Sequence, residues 1–292
     1  MASFEYSAPR SIDGAITLLT QAGDEGRALA GGTDILTQLR EGRRRASLLV
    51  DIKGIPELNQ LCYDSSAGLT VGAALPCYRL CSDEQAQRRY PGLLDGAGIV
   101  GGVQIQGRAS VGGNLCNASP AADSIPALIV LGAMCVIAGP EGERTIAVEH
   151  FCTGPGKNAL QRGEILVALR LPPPEPNSGV RYLRFTPRNE MDIAVVGAGA
   201  AVTLEDDGRT IRSARVALGA VAPIPLLAAT AGEVLAGAAI SREVIERAAE
   251  TARALAVPIT DMRGSAAQRR HLAAVLTRRA LEGAIERARK SM

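Results

Sequence analysis

The stretch Leu29-Ala30-Gly31-Gly32-Thr33-Asp34 lies at the centre of the fold prediction. It leads from a short apolar segment, Ala28–Ala30, into a segment with helical spacing, Ile35–Arg40, and Leu48–Ile52 then has the pattern of a strand. The order strand, glycine turn, helix, strand predicts a small α/β unit. Backbone N–H groups of the turn could converge on a phosphate there, since glycines permit close approach and positive φ, and Thr33 adds a hydroxyl donor.

A second double-glycine loop, Ser110-Val111-Gly112-Gly113-Asn114, offers similar geometry. It continues through Leu115–Asp123, a stretch of small and polar residues that ends in a carboxylate. Two such loops in separate units could hold one diphosphate between them. Each loop alone is a weak signal, because Gly-Gly turns are common and are usually only turns, and Asp34 and Asp123 could simply cap helices.

Composition excludes several other chemistries. The chain has 292 residues, enough for two or three modest domains, and its net charge of +2 indicates no surface for nucleic acid. The two histidines, His150 and His271, are far apart and predict no metal site, and the six dispersed cysteines are expected to be reduced packing residues. With no signal-peptide pattern and no apolar run of about 18 residues, we expect a cytoplasmic protein without a membrane span.

The remaining periodicity divides the chain into three units, and a proline-rich linker at 173–179 separates the second from the third. The units are 1–57, 58–172 and 180–292. The second contains predicted strands at Leu69–Ala73, Met134–Ala138, Thr145–Val148 and Ile165–Leu171, and a helix at Ile125–Leu131. The third contains predicted strands at Val180–Phe185, Ile193–Leu204 and Ile211–Leu218, with a hairpin signal at Asp207-Gly208, and helices at Leu226–Leu235, Ser241–Leu255 and Ala266–Lys290.

Two other glycine patterns imitate a dinucleotide-binding fingerprint. Gly96–Gly101 matches G-x-G-x-x-G, but it follows a helical segment rather than a strand. Gly197-Ala198-Gly199 lies in an apolar strand, but another strand follows it instead of a helix. Neither pattern is predicted to bind a pyrophosphate in the Rossmann manner.

Taken together, the motifs resemble the FAD-binding medium subunit of the molybdenum hydroxylases, the family of xanthine dehydrogenase and carbon monoxide dehydrogenase. The resemblance runs in order along almost the whole chain, through the segments Ala30–Asp34, Ser110–Asn114, Ala118–Asp123, Phe151–Lys157, Gly163–Leu166 and 188–194. It implies an α+β fold with an FAD-binding region of the PCMH type in two subdomains, 1–57 and 58–172. A C-terminal domain with a three-stranded antiparallel sheet and a helical bundle would follow at 180–292.

The resemblance also implies which residues bind the cofactor. Those that would hold the FAD pyrophosphate and its flanks are Leu29, Ala30, Gly31, Gly32, Thr33, Asp34, Ile35, Ser110, Val111, Gly112, Gly113 and Asn114. Ser119 and Asp123 would bind the ribityl or ribose side, and Leu166 would lie against the isoalloxazine. Arg184 stands where relatives often have a lysine near the ring, and Val100 where some have an aromatic residue.

By the same resemblance, this chain would carry no metal ligand and no catalytic residue of its own. Substrate would be hydroxylated at a molybdopterin cofactor on a large subunit. Electrons would then pass through two [2Fe-2S] clusters on a small subunit to the FAD and on to an acceptor, in a dimer of heterotrimers. The dispersed cysteines do not suit the branch with an additional iron–sulfur cluster, 4-hydroxybenzoyl-CoA reductase. A non-catalytic scaffold or maturation partner and a free-standing flavin oxidoreductase are the alternatives.

Overall fold

The computed structural model describes residues 3–188 and 191–292. Residues 1–2 of the predicted first unit and 189–190 of the 188–194 motif lie outside the described residues. The first part of the chain forms a parallel sheet in the order β1-β3-β2. Its elements are β1 (Glu5–Ser7), α1 (Ile12–Ala22), β2 (Gly26–Leu29), α2 (Ile35–Arg40) and β3 (Leu48–Asp51).

Local signals explain why α1 and α2 form where the sequence predicts them. The Ser11 hydroxyl accepts a hydrogen bond from the Gly14 N–H and so caps α1, and Gly23, with φ of 61°, ends it. The predicted strand–turn–helix–strand order around Gly31 is confirmed, and α2 has the predicted bounds. The double-glycine turn therefore lies at one end of β2.

The middle of the chain forms an antiparallel sheet in the order β4-β5-β10-β6-β7 and a two-stranded hairpin, β8-β9. The strands are β4 (Leu61–Asp64), β5 (Gly68–Gly72), β6 (Met134–Gly139), β7 (Gly142–Ala147), β8 (Cys152–Gly154), β9 (Lys157–Asn158) and β10 (Ile165–Leu171). The helices are α3 (Cys77–Ser82), α4 (Glu84–Arg89), α5 (Pro91–Ala97), α6 (Val103–Gln106), α7 (Val111–Asn117) and α8 (Ser124–Val130). Short 3₁₀ turns lie at Gly23–Glu25, Pro56–Asn59 and Val148–His150.

One sequence prediction in this part needs correction. The segment Ser110–Asn114 is not a loop, because Val111–Asn117 is helical from its first residue. The Ser110 hydroxyl accepts from the Gly113 N–H at 3.0 Å, and the Ser110 carbonyl accepts from the Asn114 N–H at 2.9 Å. These two bonds outweigh the low helix propensity of two glycines. We continue to call Leu29–Ile35 the first glycine loop and Ser110–Asn114 the second glycine segment.

The C-terminal part forms an antiparallel sheet in the order β11-β12-β13-β14 with three helices. Its elements are β11 (Ser178–Phe185), β12 (Val196–Leu204), β13 (Ile211–Gly219), β14 (Leu226–Leu227), α9 (Ala229–Leu235), α10 (Arg242–Ala254) and α11 (Ala266–Lys290). The predicted strands and the hairpin at Asp207-Gly208 are confirmed. The helix predicted from Leu226 begins instead at Ala229, because Leu226 and Leu227 pair with β13 as a short fourth strand.

The C-terminal sheet is packed on both sides. Helices α9, α10 and α11 belong to its own core, while α5 and α8 of the middle part contact β11, β12 and β13. Strand β12 admits this contact because its glycines are small: a Cβ on Gly199 would lie 3.0 Å from the Pro126 carbonyl oxygen of α8. The pattern 197–199 therefore serves packing, and no helix follows it.

The described residues show neither a membrane helix nor a metal cluster. None of the helices listed above is long and apolar enough to cross a membrane. Within residues 3–188 and 191–292, no group of three or more His, Cys, Asp or Glu side chains is arranged to hold a metal ion. All six cysteines are free, and Cys77, Cys135 and Cys152 are buried in the core of the middle part, as predicted for packing residues. The prediction is wrong for Cys62, which is exposed on β4.

Candidate functional site

A cavity of about 580 Å³ lies where the first and middle parts of the chain meet. This volume is within the range of small-molecule and cofactor sites. Most of the residues predicted to bind a cofactor line it, namely Ala30, Gly31, Gly32, Thr33, Asp34, Ile35, Ser110, Gly112, Gly113, Asn114 and Leu166. Val100 lines it as well. The structure thus brings together two glycine motifs about eighty positions apart in the sequence.

The two glycines of the first loop are needed for different reasons. Gly32 has φ of +81°, a left-handed conformation that side chains disfavour. Gly31 lies against the backbone of the residues before Ser110, since a Cβ on it would be 2.5 Å from the Arg108 carbonyl oxygen. The first loop therefore packs against the backbone of Arg108 and Ala109, directly before the second glycine segment.

Hydrogen bonds also connect the helices that follow these motifs. The Gln38 amide of α2 donates to the Asn117 amide oxygen of α7 at 2.8 Å, and both residues line the cavity. With α2 only six residues long, its dipole adds little at the first loop. What the loop can offer an anion is individual N–H groups: no hydrogen bond among the described residues uses the backbone N–H of Gly31, Gly32 or Thr33 as a donor.

Three arginines that the sequence analysis did not single out, Arg27, Arg44 and Arg162, add positive charge to the cavity wall. Arg27 and Arg44 line it, and within the described ranges neither comes within ion-pair distance of a carboxylate. The Arg27 Nε is buried and has no hydrogen-bond partner, while its Nη1 donates only to the Gly26 carbonyl at 3.0 Å. Burial, followed by the charge of Arg44, lowers the pKa of Arg27. A half-buried arginine with a buried and unused Nε donor suits an anionic ligand.

A sequence signal existed for two of these arginines. Arg27 lies on β2 two residues before Leu29, so it belongs to the strand that delivers the first loop to the cavity. Arg44 belongs to the basic run 43–45, to which no role was assigned. Contacts of Gln38 and Asn117, by contrast, depend on how α2 and α7 meet, and no local pattern indicates that.

Five predicted residues lie outside the cavity wall. Leu29 and Val111 are buried in hydrophobic cores behind the loops. Ser119 lies between α7 and α8, where its hydroxyl accepts from the Ala121 N–H at 3.3 Å. Asp123 and Arg184 form an ion pair, with Nη1 to Oδ2 at 2.6 Å.

This ion pair belongs to a buried polar cluster between α8 and β11. The Tyr182 hydroxyl donates to the second oxygen of Asp123 at 3.0 Å. Burial raises the pKa of Asp123 to about 6, although Arg184 and Tyr182 act in the opposite direction. Burial, and then the Asp123 charge, raise the pKa of the Tyr182 phenol.

The cluster is connected to the cavity through one amide. Asn114 lines the cavity, and its side-chain oxygen accepts from the Ser124 hydroxyl at 2.6 Å, next to Asp123 in the chain. Asn114 and Ser124 therefore link the cavity wall to the neighbourhood of the Asp123–Arg184 pair, whereas Leu29 and Val111 lie in the hydrophobic cores.

Comparison with known proteins gives consistent matches along the chain. A family model described as the FAD binding domain in molybdopterin dehydrogenase matches residues 2–174, and one described as the CO dehydrogenase flavoprotein C-terminal domain matches residues 181–284. The carbon monoxide dehydrogenase medium chain of Afipia carboxidovorans is 33% identical over 288 residues, which cover 98% of each chain. The xanthine dehydrogenase FAD-binding subunit of Escherichia coli O157:H7 is 32% identical over 281 residues, covering 96% of this chain and 95% of that protein.

The fold agrees with these sequence matches. A solved structure of carbon monoxide dehydrogenase from Hydrogenophaga pseudoflava superimposes with a TM-score of 0.94 at 31% identity, covering 98% of each chain. The likeness includes both the cavity-bearing parts and the C-terminal sheet with its helices.

Proposed function

The chain belongs to the family of FAD-binding subunits of molybdopterin dehydrogenases, and from this premise we propose that it relays electrons from iron–sulfur clusters of a partner subunit, through its FAD, to a terminal acceptor. It is an oxidoreductase subunit and a flavoprotein. The bound flavin supplies the redox chemistry, and the protein supplies binding, orientation and electrostatics. That division of work explains how so few reactive side chains can suffice.

The observation that carries the proposal is the shared wall of the two glycine motifs. Gly31, Gly32 and Thr33, whose N–H groups are unused among the described residues, line the same cavity as Arg27 and Arg44. A diphosphate needs several N–H donors and positive charge at close range. The residues present therefore fit the diphosphate of FAD.

The buried cluster supports a role at the other end of the cofactor. We propose that Asp123 and Ser119 bind the ribityl or ribose hydroxyls, that Leu166 packs on the cofactor, and that the Arg184 cation lies close to the flavin ring. A carboxylate and a guanidinium that are both nearly buried, and that adjoin the cavity through Asn114, are suited to polar groups of a ligand. The Arg184 charge would favour the anionic form of the reduced ring.

We further propose that the chain works in the cytoplasm within a complex. The partners would be a large subunit with the molybdopterin cofactor and a small subunit with two [2Fe-2S] clusters, assembled as a dimer of heterotrimers. A relative named as the medium chain of carbon monoxide dehydrogenase supports a place among several subunits. Exposed apolar side chains near the β11–β12 connection, Phe185, Met191 and Ile193, are suited to a subunit interface.

Purified protein tests the core of this proposal directly. We expect a flavin absorbance spectrum and, after removal of the flavin, uptake of one FAD per chain in an equilibrium titration. A folded chain that takes up no FAD would overturn the proposal and favour a scaffold or maturation partner. Turnover of an organic substrate by the chain alone would instead indicate a free-standing flavin enzyme. Isolation from the native cell with co-purifying molybdenum and iron–sulfur subunits tests the electron path.

A further inference from the structure

We infer that Lys53 and Arg108 are positioning residues that hold the first glycine loop and the second glycine segment at the separation required by the FAD diphosphate. The inference rests on the proposed function and extends it, because neither side chain lines the cavity. Each reaches instead from one part of the chain to backbone carbonyls of the other.

Arg108 reaches from the middle part of the chain to the first loop. Its Nε donates to the Gly31 carbonyl at 3.2 Å, and its Nη2 lies 3.4 Å from the Ala30 carbonyl oxygen. The guanidinium therefore spans two successive carbonyls of the loop. Because the carbonyl oxygens of Ala30 and Gly31 are engaged by Arg108, the peptide planes on either side of Gly31 have a fixed orientation.

Lys53 makes the reciprocal connection. It follows β3, and its Nζ donates to the Ala74 carbonyl at 2.6 Å and to the carbonyl of Arg108 itself at 2.9 Å. The Lys53 backbone is held in turn, since its N–H donates to Asp51 at 2.8 Å and its carbonyl accepts from the Asn59 amide at 2.8 Å. The Arg108 carbonyl thus accepts from the Lys53 ammonium and also packs closely against Gly31.

The side chains of Lys53 and Arg108, which we call the Lys53–Arg108 brace, are both cations. Neither Lys53 nor Arg108 takes part in an ion pair within the described part of the protein. Burial, followed by the Arg108 charge, lowers the pKa of Lys53 to about 8, while Asp51 and Cys77 act weakly in the other direction. Two cations beside the diphosphate position favour a dianion there, and a preorganised pair of loops avoids the cost of ordering them on binding.

The test compares ligands that contain the diphosphate with one that lacks it. Apoprotein of the wild type and of Arg108→Met, Arg108→Lys and Lys53→Met is titrated with FAD, ADP and riboflavin. We expect Arg108→Met and Lys53→Met to weaken FAD and ADP about tenfold or more and to leave riboflavin affinity within twofold. Arg108→Lys should remain impaired, because an ammonium cannot span both carbonyls.

Other results would overturn the inference. The first is that Arg108→Met and Lys53→Met bind FAD and ADP with unchanged affinity, and the second is that they weaken riboflavin binding equally. The third is that Arg108→Lys binds FAD and ADP like the wild type, which would show that the positive charge suffices and that positioning of the carbonyls is not needed. Arg79→Met, on an exposed helix position, is the matched control and should bind all three ligands like the wild type. If the wild type takes up no FAD, the proposed function fails. If the wild type takes up FAD and the variants bind it with the same affinity, only the inference about Lys53 and Arg108 fails.

Discussion

Replacement of Gly31 with alanine forces the two glycine motifs apart. The new Cβ would be 2.5 Å from the Arg108 carbonyl oxygen and 2.9 Å from its carbon, both backbone atoms that cannot rotate away. Ordinary contact begins near 3.4 Å, so the motifs must separate by about 0.9 Å, the difference between 3.4 and 2.5 Å. Overpacking of this kind costs about 1–3 kcal/mol.

The assay is the FAD dissociation constant of the apoprotein. If the separation must be reversed when the cofactor binds, about 1–3 kcal/mol corresponds to a dissociation constant raised about 5- to 150-fold. The matched control is Gly107→Ala, three residues before Ser110, where φ is −64° and no atom lies within 4 Å of the added Cβ. It should leave the FAD dissociation constant unchanged. A folded Gly31→Ala protein with wild-type affinity would refute the idea that both motifs hold one ligand.

Three further predictions concern other parts of the molecule. Burial raises the pKa of the Asp123 carboxyl to about 6. The contribution of this group to stability is therefore greatest below its ordinary pKa of 3.8 and is lost as pH rises through 6. Titration of the carboxyl by ¹³C NMR should show a midpoint near 6, and the midpoint should move higher in Arg184→Met, because Arg184 lowers the pKa of Asp123. Asp95→Asn should lower the free energy of unfolding by about 1–3 kcal/mol in denaturant titrations. The reason is that Asp95 of α5 accepts two hydrogen bonds from Arg287 of α11, at 2.6 and 2.9 Å. Arg27→Met should weaken FAD and ADP binding about tenfold or more without changing the unfolding midpoint, since among the described residues its guanidinium forms no ion pair and its Nε has no hydrogen-bond partner.

One control and two contrary outcomes test these predictions. Asp13→Asn, an exposed carboxyl on α1, should change stability by only a few tenths of a kcal/mol by comparison with Asp95→Asn. A midpoint below 4.5 for Asp123 would show that the ion pair outweighs burial. Equal affinity of wild type and Arg27→Met for ADP would place the diphosphate away from β2.

Features that depend on neighbouring residues could be predicted from the sequence. Helices α1 and α10 begin at serines whose hydroxyls accept from an N–H three residues on, and α11 follows the apolar spacing from its first residue. The first glycine loop could be predicted for the same reason, since the turn and its flanking periodicity lie within about ten positions. Helix α7 was missed because two glycines obscure its pattern, and only the Ser110 cap indicates it.

Features that depend on distant residues could not be predicted. Asp123 and Arg184 were both named as cofactor residues, but their pairing joins positions 61 apart, and no local pattern carries it. Lys53 and Arg108 are 55 apart, and each bonds to carbonyls, which every residue has. Because every residue has a backbone carbonyl, the sequence does not indicate which carbonyls Lys53 and Arg108 bind, and only the folded structure shows these contacts.

The glycines of the chain also show this difference between features set by neighbouring residues and features set by distant residues. Gly96, in the pattern that imitates a dinucleotide fingerprint, packs on a carbonyl: a Cβ there would be 2.6 Å from the Asp123 oxygen. Gly31 packs on a carbonyl too, but the N–H groups beside it remain unused and the cations of Arg27 and Arg44 share the cavity wall. The proposal that Gly31 binds a phosphate therefore rests on the donors and charges around it, and not on the glycine itself. Those neighbours come from β2, from the 43–45 run and from the segment before α7, which only the fold brings together.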